Sequence, residues 1–338
     1  MVDLRSDLCS LPTDEMWDAM RGAELGWATV GEDESVRRLG ERAAELLGQE
    51  AATWVPTCGM ANLVALLVHV ERAQGVVLES AAHILTSEGM AITEVAGLEP
   101  FAVWAPDGRL DPVRVDESFT ESRAVLLCLE NTHTRAGGTV TPVDLTRELV
   151  RVARRHDARV HLDGARLANA AAALDVELSD LAGDVDSVAL SLNKGLSAPF
   201  GCVLAGSTAF LEQARTQLLR LGGGTVHRAG IAAAAGLVAL ETMRDRLVDD
   251  HRRARDLGAG LAAIGGLRLE PEVVETNIVL LDVTGASWEP GPFVAALESR
   301  GVRAFERDGS RVRFVTHRLV DDGDIAAAVA AAADIVAG

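Results

Sequence analysis

Lys194 is the only lysine of the chain, although lysine and arginine together number 32 in its 338 residues. Arginine supplies the same positive charge, but its guanidinium cannot lose a proton in a protein. A position that keeps lysine therefore indicates chemistry that needs a neutral amine, such as attack on a carbonyl group. A general bias toward arginine could also leave a single lysine that has no function. The residues around Lys194 must therefore distinguish the two explanations.

An aspartate stands about 30 residues before this lysine, as the βαβ unit of a parallel sheet would require. Asp163 closes the apolar run Arg159–Asp163, and Lys194 follows the apolar run Ser187–Leu192. Open α/β proteins bind their ligands at the carboxyl ends of parallel strands. A strand-end aspartate alone would be explained by capping of the next turn. An aspartate and the sole lysine at successive strand ends are harder to explain by packing.

Two further positions carry weaker signals. The small-residue turn at Cys58 and Gly59 leads into an apolar helix, and backbone amides at a helix start can bind a phosphate. Many strand-to-helix turns have this composition, so the turn is weak support by itself. His83 follows the predicted strand Val76–Glu79, where its flat ring could stack on an aromatic cofactor. A single histidine is more often an ordinary polar residue.

The apolar runs alternate with helical patterns, which is typical of a doubly wound α/β domain. We expect an N-terminal arm at residues 1–30, a large domain at 31–245 and a smaller C-terminal α+β domain at 246–338. The large domain should contain a mostly parallel sheet. The predicted strands are Val76–Glu79, Ala124–Glu130, Arg159–Asp163, Ser187–Leu192 and Cys202–Ala205, followed by Asn277–Asp282 and Arg311–Thr316 in the small domain.

The composition excludes several classes of partner. A formal charge of -18 argues against binding to nucleic acid or an anionic membrane, both of which are polyanions. No apolar run of about 20 residues is present to span a membrane, and acidic residues near the N-terminus argue against a signal peptide. The four cysteines are too far apart in sequence for a metal knuckle, so we expect reduced thiols, no metal site and a cytoplasmic location.

Six motifs occur in an order that resembles the threonine aldolases, within the aromatic amino acid β-eliminating lyase/threonine aldolase group. They are Asp3-Leu4-Arg5-Ser6-Asp7, Gly31-Glu32-Asp33, Leu129-Glu130-Asn131-Thr132-His133, His161-Leu162-Asp163-Gly164-Ala165-Arg166, Lys194-Gly195-Leu196 and Val315-Thr316-His317. The resemblance covers nearly the whole chain. It implies the aspartate-aminotransferase fold and a reaction that cleaves a β-hydroxy-α-amino acid to glycine and an aldehyde.

The resemblance also implies pyridoxal phosphate (PLP) as the cofactor. Lys194 would carry it as a Schiff base, Asp163 would contact its ring nitrogen, and His83 would stack on the ring. The turn at Cys58 and Gly59 would hold the phosphate, with Arg228 as a further cofactor-binding residue.

Other residues would bind the substrate. Ser6, Arg166 and Arg313 would receive its α-carboxylate, a task for which the planar guanidinium fork is suited. His133, or His83 acting through water, is the candidate base for the β-hydroxyl proton. Sites in this family lie between subunits, which implies a homodimer or a homotetramer.

The sequence departs from the family pattern around the substrate's β-carbon. Val30 stands where the family usually has tyrosine, and Ser87 stands where an aromatic residue is common. Losing two aromatic rings should enlarge the pocket, so we expect a substrate bulkier than threonine. The same changes leave β-elimination or racemisation open as a second PLP reaction. A non-catalytic protein that binds a small anion or serves in an assembly is the alternative from another class.

Overall fold

The computed structural model describes the backbone of residues 1–338 and the side chains of all of them except Val30. The expectation about the pocket at Val30 therefore lies outside the described residues. The strands are β1 (Val2–Asp3), β2 (Ala51–Val55), β3 (Gly75–Glu79), β4 (Glu99–Val103), β5 (Ala124–Glu130), β6 (Arg159–Gly164), β7 (Ser187–Ser191), β8 (Cys202–Gly206), β9 (Arg268–Leu269), β10 (Ile278–Asp282), β11 (Val302–Arg303), β12 (Phe305–Asp308) and β13 (Arg311–Val315).

Thirteen α-helices connect the described strands. They are α1 (Asp14–Arg21), α2 (Glu34–Leu47), α3 (Cys58–His69), α4 (His83–Thr86), α5 (Pro112–Glu121), α6 (Val143–Arg155), α7 (Leu167–Leu174), α8 (Leu178–Ala182), α9 (Thr208–Arg220), α10 (Ala229–Thr242), α11 (Leu247–Ala262), α12 (Pro290–Ser299) and α13 (Asp322–Ala337). Among the described residues, none of these helices has the length and apolar character needed to cross a membrane.

Seven strands form the central sheet in the order β2-β8-β7-β6-β5-β3-β4. The five from β7 to β4 run parallel, whereas β8 is antiparallel to both of its neighbours. The expectation of a mostly parallel sheet is confirmed. The five strands predicted for this domain are all present, within one residue of their expected ends. Strands β2 and β4, which lie at the two edges of the sheet, were not predicted from the apolar runs.

Helices cover both faces of the central sheet because its buried strands carry apolar side chains on both faces. In the fully buried strand β7, Val188 and Leu190 join one hydrophobic core and Ala189 joins another. The first core includes buried residues of α2, α6 and α10, and the second includes α3 and α9. The strand therefore reads as a continuous apolar run rather than an alternating one.

The C-terminal part contains an antiparallel sheet in the order β12-β13-β10-β9, packed against α11, α12 and α13. This agrees with the expected α+β character of the region. The N-terminal strand β1 pairs in parallel with β11, and Leu4 is buried in the same core. The arm is thus attached to the C-terminal core. The division at residues 30 and 245 stays a prediction.

Candidate functional site

Asp163 lies at the carboxyl end of β6 and is only 2% exposed. Its Oδ2 accepts a hydrogen bond from Asn62 Nδ2 at 3.1 Å, and its Oδ1 accepts one from the amide of Ala165 at 3.1 Å. Among the described residues, no arginine, lysine or histidine forms an ion pair with it. Burial and the nearby Glu130 carboxylate raise the pKa of Asp163. A buried carboxylate in this setting is well suited to a cationic ligand.

Lys194 follows β7 in a turn at the neighbouring strand end, so the topology brings it toward Asp163 as the sequence predicts. Its ammonium is one of the groups that oppose the burial-driven rise in the pKa of Asp163. The turn is tightly packed, because a Cβ atom at Gly195 would lie 2.8 Å from Leu247 Cδ2. The hydrogen bonds of the described residues leave the Lys194 side chain unused.

Helix α3 begins beside these residues. The side chain of Thr57 caps the helix by accepting a hydrogen bond from the amide of Met60. The hydrogen bonds of the described residues leave the amides of Cys58 and Gly59 without a partner. Helix α3 therefore presents two free donors and the positive end of its dipole, as an anion site requires. Hydrogen bonding to Cys202 and burial raise the pKa of the Cys58 thiol, which keeps it uncharged near neutral pH.

His83 opens the short helix α4, and its backbone amide donates to Glu130 Oε2 at 2.7 Å. Its imidazole is 40% exposed, and Nε2 lies 4.0 Å from Glu88 Oε1. Burial lowers the pKa of His83, against the opposing effect of Asp163, so the ring is neutral near pH 7. Its position leaves the ring free to stack on a ligand or to accept a proton.

His133 has a different environment, although both histidines were candidates for the same proton. It is 2% exposed, and its Nε2 lies 2.9 Å from Glu79 Oε2, while its Nδ1 accepts from the amide of Ala136. Burial lowers the pKa of His133, but the carboxylates of Glu130 and Glu79 outweigh burial and raise it. Both ring nitrogens are engaged, which favours His83 as the base.

The predicted carboxylate-binding residue Arg166 forms a two-point ion pair with Asp7. Its Nε and Nη2 donate to the two Asp7 oxygens at 2.7 and 2.8 Å, and its Nη1 donates to Thr134 Oγ1. Burial alone would raise the pKa of Asp7, but the Arg166 guanidinium lowers it to about 2. Asp7 therefore neutralises Arg166. This partner was not predicted from the sequence, although Asp7 lies in the motif Asp3-Leu4-Arg5-Ser6-Asp7.

Arg313 on β13 lacks such a carboxylate partner among the described residues. Its Nη2 donates to the backbone oxygen of Arg5 at 3.1 Å, and its buried Nε has no hydrogen-bond partner. Burial and the charges of Arg166 and Arg307 lower the pKa of Arg313 to about 10. Ser6, the third predicted carboxylate ligand, follows Arg5 directly and caps the adjacent short helix. Of the two guanidinium groups, Arg166 and Arg313, an added anion would stabilise the charge of Arg313 more.

Besides Asp7, two further residues at the site were not predicted. Asn62 on α3 donates from Nδ2 to both Asp163 and Glu88, and the second distance is 2.8 Å. Burial and Asp163 raise the pKa of Glu88 to about 7, and its Oε2 is buried without a hydrogen-bond partner. Glu88 lies five residues after His83 in sequence, but nothing in its local pattern indicates that it is buried.

Arg228 is not brought to the other predicted residues within this chain. It is exposed at the start of α10, and its Nη1 donates only to the neighbouring backbone oxygen of His227, at 3.4 Å. The glycine-rich segment before it does approach α3, because a Cβ at Gly223 would lie 2.3 Å from Met60 Sδ. A cofactor-binding role for Arg228 stays a prediction.

The sequence profile of the beta-eliminating lyase family matches residues 3–285. The chain belongs to this family. Among curated members, it is 37% identical to the low-specificity L-threonine aldolase 1 of Arabidopsis thaliana over 334 residues, covering 96% of this chain and 93% of that protein. It is 36% identical to the low specificity L-threonine aldolase of Escherichia coli K12 over 271 residues, covering 78% and 80% of the two chains. The family resemblance predicted from the motifs is confirmed.

Solved structures of beta-eliminating lyase relatives share the fold. The threonine aldolase of Leishmania major matches with a TM-score of 0.85 at 20% identity, over 99% of this chain and 100% of that chain. An Exiguobacterium protein described as a putative aromatic amino acid beta-eliminating lyase/threonine aldolase matches with a TM-score of 0.80 at 24% identity, over 94% and 93%. The predicted aspartate-aminotransferase-like fold is confirmed.

Proposed function

We propose that this chain is a PLP-dependent aldehyde-lyase that cleaves a β-hydroxy-α-amino acid to glycine and an aldehyde. The observation that carries the proposal is the buried Asp163 carboxylate, which has no ion-pair partner among the described residues and ends the strand next to the one that leads to Lys194. A protonated ring nitrogen would supply the missing cation. The homology to threonine aldolases supports the same reaction.

The donor set fits the cofactor group by group. Lys194 is the amine that would attach it, Cys58 and Gly59 offer amides to its phosphate, and His83 offers an exposed ring to its face. Bound PLP supplies an electron sink that stabilises negative charge on the substrate's Cα. Arg228 would add to the phosphate site if it reaches a neighbouring subunit.

Arg313 and Ser6 would hold the substrate's α-carboxylate, and the Arg166–Asp7 pair would position Ser6, whose hydroxyl donates to Asp7 Oδ1. A fixed carboxylate determines which bond to Cα is held in the reactive orientation, and orientation of this kind contributes strongly to rate. His83 then accepts the β-hydroxyl proton at Nε2, directly or through water, as the Cα–Cβ bond breaks. Glu88 lies 4.0 Å from that nitrogen and can retain a proton near neutral pH.

The space beside His83 favours a substrate larger than threonine. An open cavity of 470 Å³ is lined by His83, Ser87, Glu88 and Gly59, and Ser87 is itself exposed. An aromatic side chain at this position would fill part of that space. We expect a higher kcat/KM for phenylserine than for threonine, and we expect Ser87→Phe to shift the ratio toward threonine. A clear preference of the unmodified enzyme for threonine would refute the size argument.

Product analysis of the same reactions separates the chemistries. Glycine and an aldehyde in equal amounts support the proposed cleavage. Pyruvate with ammonia would indicate β-elimination, and the opposite enantiomer would indicate racemisation. No conversion and no cofactor binding would favour an anion-binding or assembly role.

We also propose that the enzyme is a cytoplasmic homodimer or homotetramer with sites completed between subunits. The free thiols of Cys9, Cys58, Cys128 and Cys202 suit a reducing compartment. Among the described residues, the exposed Arg228 side chain donates only to the neighbouring backbone oxygen of His227, which suits a role in a neighbouring site. Analytical ultracentrifugation distinguishes a dimer or tetramer from a monomer.

A further inference from the structure

A continuous chain of hydrogen bonds runs from Asp163 to the opposite end of α3. Asn62 Oδ1 lies 3.0 Å from His161 Nε2, and His161 Nδ1 lies 2.8 Å from Ser187 Oγ. Ser187 Oγ in turn lies 2.7 Å from His69 Nε2. His161, Ser187 and Asn62 are fully buried. None of these three links is used in the reaction described above.

The chemistry of the groups fixes the direction of every link. The Asn62 amide nitrogen donates to the carboxylates of Asp163 and Glu88, so its oxygen faces His161 and must accept. His161 therefore carries its proton on Nε2, and its Nδ1 accepts from the hydroxyl of Ser187. The Ser187 oxygen is then left to accept from Nε2–H of His69. All donors point toward the two carboxylates.

We propose that His161, Ser187 and His69 are positioning residues that hold the Asn62 amide in the one orientation that serves the cofactor's aspartate. This inference rests on the proposed function, because it assigns their role to Asp163. If His161 carried its proton on Nδ1, Asn62 would turn its oxygen toward Asp163 and Glu88. Three oxygen acceptors would then face one another, and Asp163 would lose the donor that stabilises its charged form.

The surroundings of His161 and His69 keep both imidazoles neutral. Burial lowers the pKa of His161 to about 3, and His69 adds to the effect. Burial likewise lowers the pKa of His69 to about 4; Asp186 opposes this effect, and Arg159 and Arg154 add to it. The His69 ring stacks on Phe210 with 4.8 Å between ring centroids and lines a separate cavity of 640 Å³. A neutral imidazole at each position keeps the donor direction fixed.

Nitrogen NMR on the ¹⁵N-histidine-labelled holoenzyme tests the direction of the chain, with His161 assigned by its loss in a variant. We expect His161 to be neutral and protonated on Nε2, with no change between about pH 6 and pH 8. Protonation on Nδ1 would overturn the proposal. The variant serves only to assign the signal, and the tautomer itself is read from the wild-type holoenzyme.

A matched pair of substitutions tests the consequence for the cofactor. The amide of His161→Gln places a donor near the former Nε2, whereas that of His161→Asn reaches only the former Nδ1. We expect His161→Asn and Ser187→Ala to raise the Kd for PLP about tenfold. The Kd of His161→Gln should stay within about twofold of wild type. Equal affinity of wild type and His161→Asn would refute the positioning role.

The two proposals fail in different ways. If wild-type protein bound no PLP, the proposed function would fail while the NMR measurement on the unliganded chain still reported the hydrogen-bond direction. If wild type bound PLP and the variants bound it equally well, only the positioning role would fail. Thermal unfolding of each variant shows that weaker binding does not reflect loss of the fold.

Discussion

Asp7 and Asp163 are both fully buried carboxylates of one site, yet their surroundings differ in charge. Asp7 receives both prongs of the Arg166 guanidinium, which lowers its pKa to about 2. Asp163 receives only neutral donors, and burial raises its pKa. Asp7 has its counter-charge within the chain, whereas the counter-charge of Asp163 would have to come from a bound cation. This difference is the reason for assigning Asp163, and not Asp7, to the proposed cofactor.

Replacing Asp163 should have the largest effect on activity and little effect on stability. We expect Asp163→Asn to lower kcat/KM by about 100- to 1000-fold, since it removes the charge that matches a protonated ring nitrogen. The free energy of unfolding without cofactor should stay within about 1 kcal/mol of wild type or rise, because no buried ion pair is broken. Steady-state kinetics and urea unfolding measure the two effects. Retained activity would show that Asp163 does not contact the cofactor.

Replacing Asp7 should instead have its main effect on stability. Asp7→Asn leaves the Arg166 guanidinium buried without a counter-charge, which typically costs about 3–5 kcal/mol. We expect that loss in urea unfolding of the cofactor-free protein. Asp3→Asn is the matched control, because the ion pair of Asp3 with Arg5 is exposed and contributes little. Equal stability of the two variants would mean that the Asp7–Arg166 pair is not essential to the fold.

Glu88 provides a smaller test of the charge environment around Asp163. Its pKa is raised from about 4.5 in an unfolded chain to about 7 in the folded one, mainly by burial. The folded state then binds the proton more tightly, so this group makes stability fall as pH rises from about 4.5 to about 7. Glu88→Gln removes the decline, and we expect it to be about 1–3 kcal/mol more stable than wild type near pH 8 without cofactor.

The control for this prediction is the same comparison near pH 5, where wild-type Glu88 is mostly protonated. The two proteins should there differ much less in urea unfolding. A constant difference at both pH values would show that Glu88 does not titrate in this range. The test therefore separates the effect of charge from any effect of packing.

The sequence predicted the strands that carry the site because buried parallel strands are continuous apolar runs. Strand β7 is buried throughout, so its apolar run was enough to predict that Lys194 follows the carboxyl end of a strand. Strand β4 was missed because it is a partly exposed edge strand that contains Pro100. The order Asp163 then Lys194 follows from the βαβ repeat, so that part of the site was predictable.

Partners that are distant in sequence were not predictable from one chain. Asp7 and Arg166 are 159 residues apart, and Asn62 and Asp163 are 101 residues apart. Each contact depends on how the N-terminal arm or α3 packs on the sheet, which no local pattern encodes. The choice between His83 and His133 also needed the structure, because the contacts with Glu79 and with the Ala136 amide show that both ring nitrogens of His133 are engaged.

The proposed function requires that Lys194 holds PLP for cleavage of a β-hydroxy amino acid. The most direct measurement is the visible absorption spectrum of the purified protein with added PLP, before and after glycine, beside Lys194→Ala and Lys194→Arg. We predict a Schiff-base band in wild type that responds to glycine and is missing from both variants, since arginine keeps the charge but cannot be deprotonated. A band that persists in the variants, or one that never forms in wild type, would contradict it.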